Sequence, residues 1–323
     1  MKMKKVLLVA MVALGTLAGD AKALKVLMIG NSFTCSAMRQ TPAIAKALDC
    51  ELDVANLSIG GCPLSKHWAN VEKAATDSEF RPYNVQISWT SCDAKNAPIR
   101  KVMKGSSANI PQVLAADKWD IVTIQQASGQ SAFYKTYQPY ADNLIAKIRE
   151  LAPQAEIRIQ ETWSYSPYDG RLNVWKMTPD TMYEALHESY QTLAKKHNLK
   201  IIPTATAVQE FRKRLPVKYA KVLTKKEVWS LQQPEVPEFY GDVCGKAYWG
   251  KGNKWNKDAD QIKLRMDPSH LNPEGEYLQG CVWVESLFGK DVTGCVYTMK
   301  GLSEARAKLM RACAHDIVSA QKK

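Results

Sequence analysis

Two segments far apart in this 323-residue chain carry the residue types and local spacing of a nucleophile and its base. Ser32 follows the apolar run Val26-Leu27-Met28-Ile29 and sits in Gly30-Asn31-Ser32-Phe33-Thr34. Far downstream, Asp267-Pro268-Ser269-His270 places a carboxylate three residues before an imidazole. A serine hydroxyl becomes a useful nucleophile when a base takes its proton. A histidine serves as that base best when a carboxylate fixes its tautomer and stabilises the imidazolium. Pro268 stiffens the connection, and the spacing lets Asp267 reach back to His270 Nδ1. Plainer uses exist for each residue. Ser32 could cap a helix, and Asp267 could make a turn before a helix starting at Asn272-Pro273-Glu274. The pairing of the two segments is what points to acyl chemistry, with His270 in a loop as the base.

A tetrahedral intermediate also needs hydrogen-bond donors for its oxygen. If the following helix starts nearby, its amide donors lie close to Ser32 and could stabilise a developing anion. Asn56-Leu57-Ser58-Ile59-Gly60-Gly61 closes a second apolar run with paired glycines, and Gly61 could bring its N–H close to a substrate oxygen. Ile121-Val122-Thr123-Ile124 ends at Gln125-Gln126, and two amides at the end of a buried run need partners. Gln126, with Gln125 second, is the candidate side-chain donor.

These residues must be carried by a frame. Val26–Ile29, Glu51–Leu57, Trp119–Gln126, Glu156–Gln160 and Lys200–Pro203 read as strands. Residues 36–48, 64–77, 109–116, 137–151 and 181–197 read as the helices between them, and Tyr83–Thr90 as a strand or hairpin arm. Alternating strand and helix predicts a mostly parallel sheet covered on both faces. Such sheets hold their sites at the carboxyl ends of the strands, where Ser32 falls. Residues 204–266 are less regular and read as an insertion within a single domain spanning 24–323. Helices over 274–287 and 303–319 close the chain.

Residues 1–23 read as an export signal. Lys2, Lys4 and Lys5 precede the apolar stretch Val6 to Leu17, and Ala21-Lys22-Ala23 is a small-x-small cleavage site. That stretch falls short of the about 20 residues a membrane span needs, and no later one is long enough. The expectation is an exported protein without a membrane span. Removing four lysines and one aspartate lowers the net charge from +12 to +9. The remaining lysines are scattered, which fits a solvated surface and not a nucleic-acid site. Eight cysteines in an exported chain suggest disulfides. No CxxC, Walker loop or GxGxxG occurs, and no cluster with ligand spacing calls for a metal. No cofactor is expected.

Gly30-Asn31-Ser32, Gly61 and Asp267-x-x-His270 resemble, in order and rough spacing, the blocks of the SGNH or GDSL-like hydrolases over about residues 24–290. The resemblance implies a flavodoxin-like three-layer α/β/α sandwich. It also implies Ser32, His270 and Asp267 as catalytic residues, and the N–H groups of Ser32 and Gly61 as oxyanion donors. The third block departs from the usual Gly-x-Asn-Asp. Here it is Gln125-Gln126-Ala127-Ser128-Gly129-Gln130, similar to the glutamine-containing version of some carbohydrate acetylesterases in that superfamily. The implied activity is removal of acetyl groups from a polysaccharide or oligosaccharide. Alternatives are a lipase or short-chain carboxylesterase with the same triad, and an inactive glycan-binding module. Asn31 beside the serine and the aromatic residues Trp163, Tyr165 and Trp249 are candidate substrate contacts.

Overall fold

The computed structural model describes residues 22–216, 219, 221–251 and 260–321. Most of the expected export signal therefore lies outside the described residues. The elements in chain order are β1 (Leu24–Gly30), α1 (Ser32–Ala47), β2 (Leu52–Ser58), α2 (Leu64–Thr76), β3 (Tyr83–Ser88), β4 (Ser107–Ala108), α3 (Ile110–Ala116), β5 (Ile121–Ile124), α4 (Tyr140–Leu151), β6 (Glu156–Gln160), α5 (Gly170–Trp175), α6 (Pro179–His197), β7 (Lys200–Ile202), α7 (Thr204–Arg214), α8 (Lys225–Ser230), β8 (Cys244–Gly250), β9 (Lys263–Leu271), α9 (Pro273–Phe288) and α10 (Glu304–Ala320).

Seven strands form the central sheet in the order β4-β3-β2-β1-β5-β6-β7. The five strands β2, β1, β5, β6 and β7 run parallel, while β3 and β4 add an antiparallel edge. Val26–Ile29 and Ile121–Ile124 are buried along their length, as strands covered on both faces must be. One helical layer contains α1, α9, α10 and α7. The other contains α2, α3 and α4. This is a three-layer α/β/α sandwich, and the strand order reverses between β1 and β5. Ligands of doubly wound sheets bind at such a reversal, outside the carboxyl ends of the strands.

The region expected to be irregular, 204–266, contains α7, α8 and most of a separate two-stranded hairpin, β8–β9. Asp267 and His270 lie in strand β9 and not in a loop. The eight cysteines are free thiols, so the expected disulfides are not present. Several act as small buried groups with a weak S–H donor: Cys313 Sγ donates to Ala207 O at 3.5 Å, and Cys244 Sγ lies 3.6 Å from both Pro268 O and Ser269 O. Among the described residues, no helix is long and apolar enough to cross a membrane.

His67 on α2 shows how the frame treats a buried titratable group. It is fully buried, and its Nδ1 lies 2.8 Å from Tyr83 Oη, which also accepts from Asn70 Nδ2. Burial pushes the imidazole pKa down to about 3 from its ordinary value of 6.5. Between those values the unfolded chain binds more protons than the folded one, so stability rises with pH and is lost as pH falls below about 6.5. Expected is a loss of about 1.4 kcal/mol per pH unit from this group on acidification. Denaturant titrations of His67→Phe and the native chain between pH 4 and 7 should give a shallower slope for the variant. Parallel slopes would remove His67 as the cause.

Candidate active site

Ser32 is positioned by the junction of β1 and α1. Asn31 caps the helix, its Oδ1 accepting from Phe33 N at 3.0 Å, so Ser32 becomes the first helical residue. The opening amides of a helix have no intrahelical acceptor, which leaves the Ser32 N–H available at the sheet edge. Ser32 Oγ lies 2.8 Å from His270 Nε2. On the other side of the ring, His270 Nδ1 lies 2.9 and 3.0 Å from the two Asp267 oxygens. The arrangement fits one tautomer: Nδ1–H donates to the carboxylate and Nε2 accepts from the serine hydroxyl. The structure thus brings Ser32, on α1, to the Asp267–His270 pair on β9, although Ser32 and His270 lie 238 positions apart in sequence.

The local geometry of β9 explains how a strand presents this pair. Cys244 pairs with Leu271 and Lys246 with Asp267. Only Gly245 lies between the first partners, whereas Pro268, Ser269 and His270 lie between the second. The extra residues bulge out of the ladder, which bends a strand and re-aims its side chains. Pro268 has no N–H to give the ladder. The bulge is held from the main sheet's side: Ser166 N donates to Pro268 O at 2.9 Å, and Trp163 Nε1 to Ser269 O at 2.9 Å. Opposite it, Gly245 adopts φ +101°, and a Cβ there would lie 2.4 Å from the Phe239 ring. Glycine is required at this position on both counts.

Asp267 is braced within the bulge. Its Oδ1 accepts from His270 N at 3.2 Å and Ser269 N at 3.4 Å as well as from the imidazole. Burial pushes the carboxyl pKa up. The hydrogen bond and charge of His270 and the two backbone N–H groups outweigh this and hold it well below the usual carboxylate range. These contacts favour its charged form.

The segment carrying Gly61 is tied to the nucleophile. Ile59 N donates to Gly30 O at 3.3 Å, and Asn31 Nδ2 to Cys62 O at 3.2 Å. Gly61 is exposed with φ +63°, and its N–H has no acceptor among the described residues. The two backbone donors expected from the sequence are thus both open.

The glutamines are placed differently from expectation. Gln126 is fully buried, and both hydrogens of its amide are directed at Thr136, to O and Oγ1 at 3.1 Å each. Its Oε1 accepts from Leu64 N and Ala127 N. It splices the β5 loop to the start of α2 and has no hydrogen left for a substrate. Gln125 is also buried and donates to Asn31 Oδ1 at 2.8 Å, which sets the orientation of the capping side chain. Asn31 itself is 2% exposed, with both polar ends engaged, so it organises the junction and is not a substrate contact.

Two of the aromatic candidates are likewise interior. Trp163 is fully buried, stacks on Phe33 with centroids 4.0 Å apart, and supports the bulge through Ser269; Phe33 in turn meets the His270 ring edge-on at 5.2 Å. Tyr165 is fully buried and donates to Ser128 Oγ at 2.8 Å. Neither offers a face to a ligand. Trp249 is partly buried on β8, pairs with Leu264, and donates to Glu235 O at 2.7 Å. Phe33 and Gly245 were missed from sequence, although proline inside a strand is the usual mark of such a bulge.

A cavity of about 630 Å³, lined by Tyr183, Gln209, Arg212, Tyr219, Tyr240 and Asp242 among others, includes none of the three site residues. Glu285, Asp291 and His315 could together contact a cation. A hydrogen bond from His315 Nδ1 to Glu285 at 2.8 Å accounts for that grouping, which ties α9 to α10.

The DUF4886 profile, described as a domain of unknown function, matches residues 25–218. The chain belongs to this family. The matched span includes Ser32 and Gly61 and ends before Asp267 and His270. No curated protein matches the chain. Among solved structures, a DUF4886 family protein from Bacteroides uniformis ATCC 8492 is similar at 24% identity with a TM-score of 0.66, covering 93% of this chain and 96% of that one. It shares the fold. A protein from Slackia heliotrinireducens assigned as an SGNH hydrolase is similar at 18% identity, TM-score 0.44, covering 81% and 98%. A GDSL-like lipase from Bacteroides thetaiotaomicron VPI-5482 is similar at 11% identity, TM-score 0.35, covering 81% and 86%.

Proposed function

We propose that the chain is an exported serine ester hydrolase of the SGNH type, removing acetyl groups from a polysaccharide or oligosaccharide. The observation that carries this reading is the continuous relay from Ser32 Oγ through His270 to Asp267, with bonds of 2.8 and 2.9 Å. His270 Nε2 takes the hydroxyl proton as Ser32 Oγ attacks the ester carbonyl. The negative oxygen is received by the N–H groups of Ser32 and Gly61, and loss of one such donor typically costs about 3–4 kcal/mol of transition-state stabilisation. The tetrahedral intermediate collapses, the C–O bond to the alcohol breaks, and the alcohol leaves with the proton held on His270. Water then attacks the acyl-serine by the same route and releases the acid. Asp267 keeps the imidazole oriented and stabilises its positive form throughout.

Export is supported by the basic, apolar and small-residue pattern of residues 1–23. The acetyl preference is supported by the export pattern and by the resemblance to the carbohydrate-esterase branch, and not by the aromatics, two of which are interior. Aryl esters of two to eight acyl carbons, followed by acetate release from acetylated xylan and pectin, test the reading. Expected is the highest kcat/KM for the acetyl ester and measurable acetate release from glycan. A rate that climbs with acyl length would make the protein a lipase-like esterase. An inert chain that still binds glycan would make it a binding module.

A further inference from the structure

Two cations flank the acid–base pair from different elements. Lys246 stands directly across the hairpin from Asp267, on the strand face that cross-strand partners share, and its ammonium makes no hydrogen bond or salt bridge among the described residues. The bulge opposite Gly245 sets this register: without it, a different β8 residue would oppose Asp267. Lys246 also acts on the neighbouring buried carboxyl of Glu276. Burial pushes that group's pKa up, while the charges of Arg39, Lys246 and His270 oppose the rise.

Arg171, at the start of α5, is the second cation. Asp169 grips one edge of its guanidinium, accepting from Nε at 2.9 Å and Nη2 at 2.6 Å, and its plane lies 4.1 Å over the Tyr165 ring. These contacts fix the group while leaving Nη1 without an acceptor among the described residues. Nη1 points to the loop after β5, where a Cβ on Gly129 would lie 4.0 Å away. Tyr165, on which the guanidinium lies, directly precedes Ser166, whose N–H donates to Pro268 O within the Asp267–His270 bulge, so Arg171 is tied to the segment that carries the acid–base pair. A guanidinium held rigid on one edge and free on the other is prepared to bind a carboxylate at small entropic cost.

We propose that Lys246 and Arg171 select an acidic substrate, binding a carboxylate on the alcohol portion of the ester, as on an acetylated uronic-acid sugar. The inference rests on the hydrolase reading and adds to it the charge class of the substrate. Neither residue takes part in the acyl transfer. Both hold the leaving portion so that its ester reaches Ser32.

The experiment compares 4-acetoxybenzoate with 4-acetoxybenzamide, which differ in charge and little in size, for the native chain, Arg171→Gln, Arg171→Lys, Lys246→Gln and the double glutamine variant. Expected is a native kcat/KM ratio of at least about tenfold in favour of the anion, the scale of one charge-assisted contact. The preference should reside mainly in KM and shrink between low and high salt. Each glutamine variant lowers the ratio, the double variant brings it near one, and Arg171→Lys keeps part of it. A native ratio near one, or one unchanged in the double variant, overturns the proposal. No turnover of either ester by the native chain would instead remove the hydrolase reading beneath it.

Discussion

Ser32→Ala is expected to abolish hydrolysis of aryl acetates while leaving the fold intact, with kcat falling on the order of 10⁴–10⁶-fold. The serine hydroxyl's hydrogen bond is to His270, whereas capping of α1 depends on Asn31. Deleting Oγ therefore removes the nucleophile without loosening the helix, and the thermal midpoint should move little. His270→Ala should cost a comparable amount, and the double variant no more than either single one, because the two act as a unit. Burst-phase kinetics of a chromogenic acetate measure the acylation step directly. A Ser32→Ala chain within tenfold of the native rate would place the chemistry elsewhere.

Asp267→Asn is the second large effect, with an expected fall in kcat of about 10⁴-fold. The amide can still accept from Ser269 N and His270 N through its oxygen, so the bulge should survive. It cannot accept from Nδ1–H through both ends as the carboxylate does at 2.9 and 3.0 Å. The ring is then free to take the other tautomer, whose Nε2–H cannot receive the serine proton. A stability signature accompanies the kinetic one. The folded carboxyl pKa lies below its unfolded value, so its contribution is complete above about pH 4 and is lost as pH falls through the folded value. The native chain should thus exceed Asp267→Asn in stability at neutral pH, with the gap narrowing on strong acidification. A variant of native activity would show that the carboxylate does no work on His270.

Much of the frame was legible because burial on two faces leaves continuous apolar runs. Val26–Ile29, Ile121–Ile124 and Glu156–Gln160 fall inside the strands expected from them. The serine and the Asp-x-x-His segment were legible because their spacing is chemical and survives any backbone. What failed was orientation. Adjacent Gln125 and Gln126, just past the end of β5, turn to different layers: one to Asn31 and the other to Leu64 and Thr136. Nothing in a Gln-Gln pair says which side is occupied. Trp163 and Tyr165 failed for a related reason, since an aromatic after a strand can wedge the core beneath a site as readily as line it. The strand character of β9 was hidden by Pro268, which reads as a loop until the bulge that accommodates it is seen.

The β8–β9 hairpin is a small sheet of its own, tied to the large one by Ser166 N to Pro268 O, by Trp163 to Ser269 O, and by Arg212, which bonds both Ser164 and Asp242. Ser32 and His270 thus travel on separate pieces of architecture. Descendants of this scaffold could lose or exchange the second piece and keep a sound seven-stranded body, becoming silent receptors in a single genetic step. Reactivity in such a lineage would track the seam between the two sheets more closely than the integrity of either.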